Sequence, residues 1–77
     1  MFKVCVKEGL WIYDEYYVDN YILAFNKFEE WFRLYNYTAR RSNMENYLET
    51  KILIQNDFTN EVYASINVVT GESNEKE

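Results

Sequence analysis

The sequence predicts an α+β domain of order ββα(α)ββ: one four-stranded antiparallel sheet with a main helix packed on one face. Three observations carry this. Apolar and polar residues alternate with period two near both ends of the chain. A long segment of helical spacing lies between those ends. Apolar residues make up 48% of the 77 and aromatics 19%, enough to favour a packed body over a disordered chain.

Phe2, Val4 and Val6 alternate with Lys3, Cys5 and Lys7, which is a strand with one buried face. Glu8-Gly9 signals a turn. Leu10 to Val18, rich in aromatic and β-branched residues, reads as a second strand paired back on the first. Strict alternation puts Leu10, Ile12, Tyr16 and Val18 on one face and Trp11, Tyr13, Glu15 and Tyr17 on the other. A rival reading starts the helix at Asp14. Asp19-Asn20 suits a helix N-cap. From Tyr21 to about Asn36 the apolar residues at 21, 24, 25, 28, 31, 32 and 35 form one helical stripe. Glu29 and Arg33 are spaced as a favourable pair on the opposite side. Ile22, Leu23 and Leu34 fall off the stripe.

Ser42-Asn43-Met44-Glu45 is a capping-box sequence and predicts a short second helix at about 43–49, a natural cover for Leu23 and Leu34. Thr50 to Asn56 reads as a strand with Ile52 and Ile54 inward. Asp57-Phe58-Thr59-Asn60 makes a hairpin connection. Glu61 to Thr70 is the last strand, with Val62, Ala64, Ile66 and Val68 inward and Tyr63, Ser65 and Asn67 outward. Residues 1–70 therefore form a single domain, and 71–77, without an apolar residue, form a frayed, disordered acidic tail. There is no internal repeat.

Absences narrow the function. The chain has no His and one Cys, so it holds no imidazole-based triad, no intrachain disulfide and no thiolate zinc site. No phosphate-cradling glycine loop occurs. Asp14-Glu15 and Glu29-Glu30 are adjacent carboxylates, and neighbours diverge on a strand or a helix, so neither pair is arranged to share a substrate. The expectation is a chain that is not an enzyme, with no catalytic residues, no cofactor and no metal. The longest apolar run, Tyr21 to Phe25, is far too short for a membrane span. With no signal-peptide pattern, the expected location is the cytoplasm.

The net charge of −5 is unevenly spread. Residues 8–30 carry −5, residues 31–51 carry +2 and the tail carries −2. An acidic stretch repels nucleic acid and suits a basic cleft, although a charge of this size also serves solubility. With the helix on one face, strict alternation puts Trp11, Tyr13, Tyr17, Leu53 and Tyr63 on the other, among Lys3, Lys7, Glu15, Lys51 and Gln55. Such a ring cluster reads as an interface, as part of the core if the register differs, or as a homodimer contact that enlarges a small core. Single-stranded nucleic acid also stacks on rings, but a phosphate backbone needs a basic groove, so direct nucleic-acid binding is disfavoured.

The opening Phe-Lys-Val-Cys-Val-Lys-Glu-Gly, then Tyr-Tyr-Val-Asp-Asn leading into Ala24-Phe25-Asn26-Lys27-Phe28, resembles small accessory proteins of phages and prophages. The resemblance covers residues 1–36 in style and carries over no functional residues. It implies a class: short stoichiometric binders of host proteins, including anti-CRISPR and other counter-defence proteins. The resulting expectation is a non-enzymatic protein-binding module that occludes a host nucleic-acid enzyme or defence protein with a basic groove. Its partner-binding residues would be Trp11, Tyr13, Tyr17 and Tyr63, with Asp14, Glu15, Glu29 and Glu30. The alternatives are a homo-oligomeric structural or regulatory protein and a weak single-stranded nucleic-acid binder.

Overall fold

The computed structural model describes residues 1–42, 47–71 and 73–75. In it the N-terminal alternation becomes a hairpin of β1 (Phe2–Glu8) and β2 (Trp11–Val18). Gly9 takes the turn at φ +59°, a conformation open to glycine at no steric cost. The chain continues through α1 (Tyr21–Arg41), β3 (Lys51–Asn56), β4 (Val62–Asn67) and β5 (Ser73–Glu75). The sheet order is β2-β1-β3-β4-β5, with every pairing antiparallel. The four expected strands and the main helix thus stand in the expected order. β5 adds a three-residue strand beside β4, so part of the segment read as a frayed tail pairs its backbone.

α1 begins where the capping chemistry says it should. The Asn20 side chain accepts hydrogen bonds from the N–H groups of Ile22 and Leu23 at 2.8 and 3.2 Å. The helix runs past the expected end near Asn36 because Ala39 prolongs the inward stripe one turn beyond Tyr35 and is itself buried. Arg40 and Arg41 occupy the last turn, where positive charge complements the helix dipole. The ion pair on this helix, among the described residues, is Lys27–Glu30 at 2.6 Å rather than Glu29 with Arg33. No helix among the described residues is long and apolar enough to cross a membrane.

The helix lies over the β2-β1-β3 side of the sheet. Val4 and Val6, Ile52 and Ile54, Ala64 and Val68 meet Ala24, Phe28 and Trp31 in the core. Each fully buried branched side chain contributes about 1.5–3 kcal/mol relative to exposure. Asn36 Nδ2 donates to the Val68 carbonyl at 2.7 Å, tying the helix to the turn after β4. The second helix expected at about 43–49 falls largely on residues 43–46, outside the described residues. At its far end Tyr47 packs on the core, and Thr50 N–H donates to the Tyr47 carbonyl at 3.1 Å. Leu23 and Leu34 are about half exposed.

Strict alternation fails at two places, and both are β-bulges. In the β1–β2 ladder Val6 pairs with Asp14 and Lys7 with Ile12, leaving Tyr13 as an extra residue. In the β3–β4 ladder Ile54 pairs with Ala64 and Gln55 with Val62, leaving Tyr63 as the extra residue. An extra residue shifts every later side chain to the other face. Ile12 and Val62, expected inward, therefore share the open face with Lys7 and Gln55, and both are exposed. Leu10, also expected inward, is at the hairpin turn and 99% exposed.

Candidate functional site

The two bulges break up the single aromatic face that alternation predicts. Tyr63 turns to the helix side, where its ring meets Phe2 at 5.5 Å and Tyr21 at 6.4 Å edge to face. Its hydroxyl accepts from Asn56 Nδ2 at 3.1 Å. It is half-buried against the core, on the helix side rather than on the open face where strict alternation puts it. Trp11 pairs with Glu8 rather than with a lysine of the open face. Tyr13 donates its hydroxyl to Glu8 Oε1 at 2.9 Å, and its ring meets Trp11 at 6.3 Å. The hydrogen bond to the Glu8 carboxylate pushes the Tyr13 phenol above its ordinary pKa. Tyr17 alone of the four named rings stays on the open face, opposite Lys3.

What the structure gathers instead is one strand. β2 is an edge of the sheet, and every residue from Trp11 to Tyr17 is exposed. Trp11 is 67%, Tyr13 42% and Tyr17 49% accessible. Ile12 and Tyr16 are exposed as well, although neither was singled out by sequence reasoning. An edge strand presents unpaired backbone groups along one side. Here that side is flanked above and below by rings.

The carboxylates divide. Asp14 stands opposite Val6 on the helix side of β2, and Glu15 opposite Cys5 on the open side. The Asp14 carboxylate accepts from the backbone N–H of Glu15 at 3.0 Å. Glu15 accepts from the Tyr17 hydroxyl at 2.7 Å, which pushes the Tyr17 phenol up to about 12. Glu30 lies beside β2 through Lys27, whose ammonium sits 4.9 Å above the Tyr16 ring. Glu29 is exposed and joins neither group. The expected acidic set is therefore two residues at the centre of β2, one carboxylate neutralised by Lys27, and one apart.

The open face itself is basic. Lys3, Lys7 and Lys51 all stand there, with Lys7 directly opposite Lys51. Cys5 and Gln55 are buried even on this face. The Cys5 thiol donates to Gln55 Oε1 at 3.4 Å, and burial raises its pKa. An open hollow of about 580 Å³ beside it is lined by Lys7, Glu8, Gly9, Glu49, Lys51 and Leu53. No family model matches the chain, and neither a curated protein nor a solved structure matches it.

Proposed function

We propose that the chain is a non-enzymatic protein-binding module that engages its partner along β2. The observation that carries this reading is the exposure of β2 from Trp11 to Tyr17 at an edge of the sheet. Rings that fold into no core are costly to leave in water, and Trp and Tyr are common anchors of binding interfaces. Edge strands add to foreign sheets through main-chain hydrogen bonds, with side chains supplying the specificity.

The resemblance to phage accessory proteins supports a narrower form of the proposal. The chain acts as a stoichiometric inhibitor of the counter-defence type, and its partner is a host nucleic-acid enzyme or defence protein. Asp14 and Glu15 then face the partner's basic groove while Trp11, Tyr13 and Tyr17 supply affinity. Such a protein works in the host cytoplasm.

The test uses tagged wild type and the Trp11→Ala variant as parallel baits in a bacterial lysate, with mass spectrometry of what is retained. A nucleic-acid-processing or defence protein held by wild type and lost by Trp11→Ala is the expected result. Identical retention by both baits counts against β2. Glu29→Lys with Glu30→Lys separates the two acidic groups: full retention assigns the charge contribution to Asp14 and Glu15.

A further inference from the structure

We propose that Asp14 and Glu15 close β2 to a second copy of this chain and reserve it for a foreign strand carrying a basic residue opposite them. The inference rests on β2 being the docking element and names the chemistry of what docks there.

The argument is one of register. When two identical edge strands pair about a two-fold axis, they do so antiparallel, and residue i faces residue j in both copies. The acids sit at the middle of the eight-residue β2. Facing residues of an antiparallel pair lie on one face of the sheet, and Asp14 and Glu15 lie on opposite faces, so a two-fold pairing sets each acid against its own kind. The two registers nearest full-length pairing set Asp14 against Asp14, or Glu15 against Glu15. A slip of two residues from either register leaves the same acid of the two copies on the diagonal, still within reach across one face. Every extensive self-pairing thus brings carboxylates together, and like charges opposite one another destabilise a ladder. Charged edge residues are a common device against sheet-to-sheet association.

The bulge and a hydrogen bond add to the barrier. Tyr13 interrupts the ladder immediately before Asp14. The Asp14 carboxylate holds the Glu15 N–H at 3.0 Å, so a backbone donor at the centre of the edge is occupied. A lysine or arginine on an incoming strand offers Asp14 and Glu15 better partners. Such a residue draws the Asp14 carboxylate outward and frees that N–H for the new strand. The exposed rings on either side then close over it. The other edge, β5, is only three residues long and offers little ladder.

The probe is a charge-reversed copy of the chain carrying Asp14→Lys and Glu15→Lys. Light scattering on size-exclusion runs, across a concentration range at low salt, reads three samples: wild type, the double variant, and their equimolar mixture. Circular dichroism checks that both fold. Monomers in each separate sample and a heterodimer in the mixture are expected, with the heterodimer weakening as salt rises. A wild-type dimer abolished by Trp11→Ala overturns the gatekeeping role, and a mixture that stays monomeric overturns the charge complementarity. If the double variant does not fold, Glu15→Lys mixed with wild type serves, because the new ammonium of one copy then stands opposite Glu15 of the other. The mixture should form a heterodimer, and a monomeric mixture counts against the proposal. A heterodimer together with unchanged lysate retention on Trp11→Ala would strike the proposed function and leave the edge chemistry standing.

Discussion

Two tyrosines occupy the same local position and meet opposite fates. Tyr13 in β2 and Tyr63 in β4 are each the extra residue of a bulge, and each turns toward the helix side of the sheet. Tyr63 finds Phe2 and Tyr21 there and becomes part of the packing. Tyr13 finds the Glu8 carboxylate and the exposed Trp11 ring, and stays largely in water. A bulge aims a side chain, but the neighbouring elements decide what it does. Near Tyr63 the first turn of α1 supplies a wall. Near Tyr13 the strand is an edge with β1 on one side only.

The largest expected effect lies on the packed side. Trp31 is 7% exposed in the core, and Trp31→Ala should cost about 3–5 kcal/mol by chemical denaturation. Tyr63→Ala should cost about 2–3 kcal/mol, the loss of a half-buried ring and of its edge-to-face contacts. A loss below about 0.5 kcal/mol at Tyr63 would break the comparison, because it would make the two bulged rings equivalent. Trp11→Ala and Tyr13→Ala should each change stability by no more than about 0.5 kcal/mol, while Trp11→Ala abolishes partner retention. The smallest effect sharpens the electrostatic side. The Tyr17 phenol is pushed up to about 12 by its bond to Glu15. The folded state favours the neutral phenol, so any stabilisation is present below the ordinary tyrosine pKa. It is lost as pH rises through about 12. Tyrosinate absorbance should show a late step in wild type that Tyr17→Phe removes. Cys5 gives an independent check on the open face: its buried thiol should react with a thiol reagent roughly tenfold or more slowly than in denaturant.

The helix was readable because its signals agree. Asn20 caps it, and the stripe from Tyr21 to Tyr35 has one period throughout. β1 and β3 were readable because their inward residues Val4, Val6, Ile52 and Ile54 are apolar and unbroken in alternation. The bulges were not. In β2 there is no local hint of one, because strict alternation and the structure both put Asp14 on the helix side and only the residues before it change face. In β4 there is none either: Val62, Ala64, Ile66 and Val68 alternate cleanly, yet Val62 ends outside because Tyr63 takes the wall offered by Phe2 and Tyr21. That contact comes from two distant segments and leaves no local trace. The candidate site was half legible for the same reason. Trp11, Tyr13, Tyr17, Asp14 and Glu15 were named from residue type, but their gathering along one edge depends on the order of strands in the sheet.

That order also sets how the molecule must assemble. β1 and β2 are neighbours in sequence, as are β3 and β4, so each hairpin closes a short loop. The seam between β1 and β3 joins residues such as Cys5 and Gln55, fifty positions apart. Closing a loop of that length costs on the order of 3–4 kcal/mol in chain entropy before its contacts return anything. Val4, Val6, Ile52 and Ile54 sit on the two sides of this seam, so neither hairpin owns a complete hydrophobic centre. The meeting of the two halves is therefore the expected slow step of folding rather than either turn. In stopped-flow refolding, Ile52→Val at the seam should slow the rate, whereas Trp11→Ala on β2 should leave it unchanged.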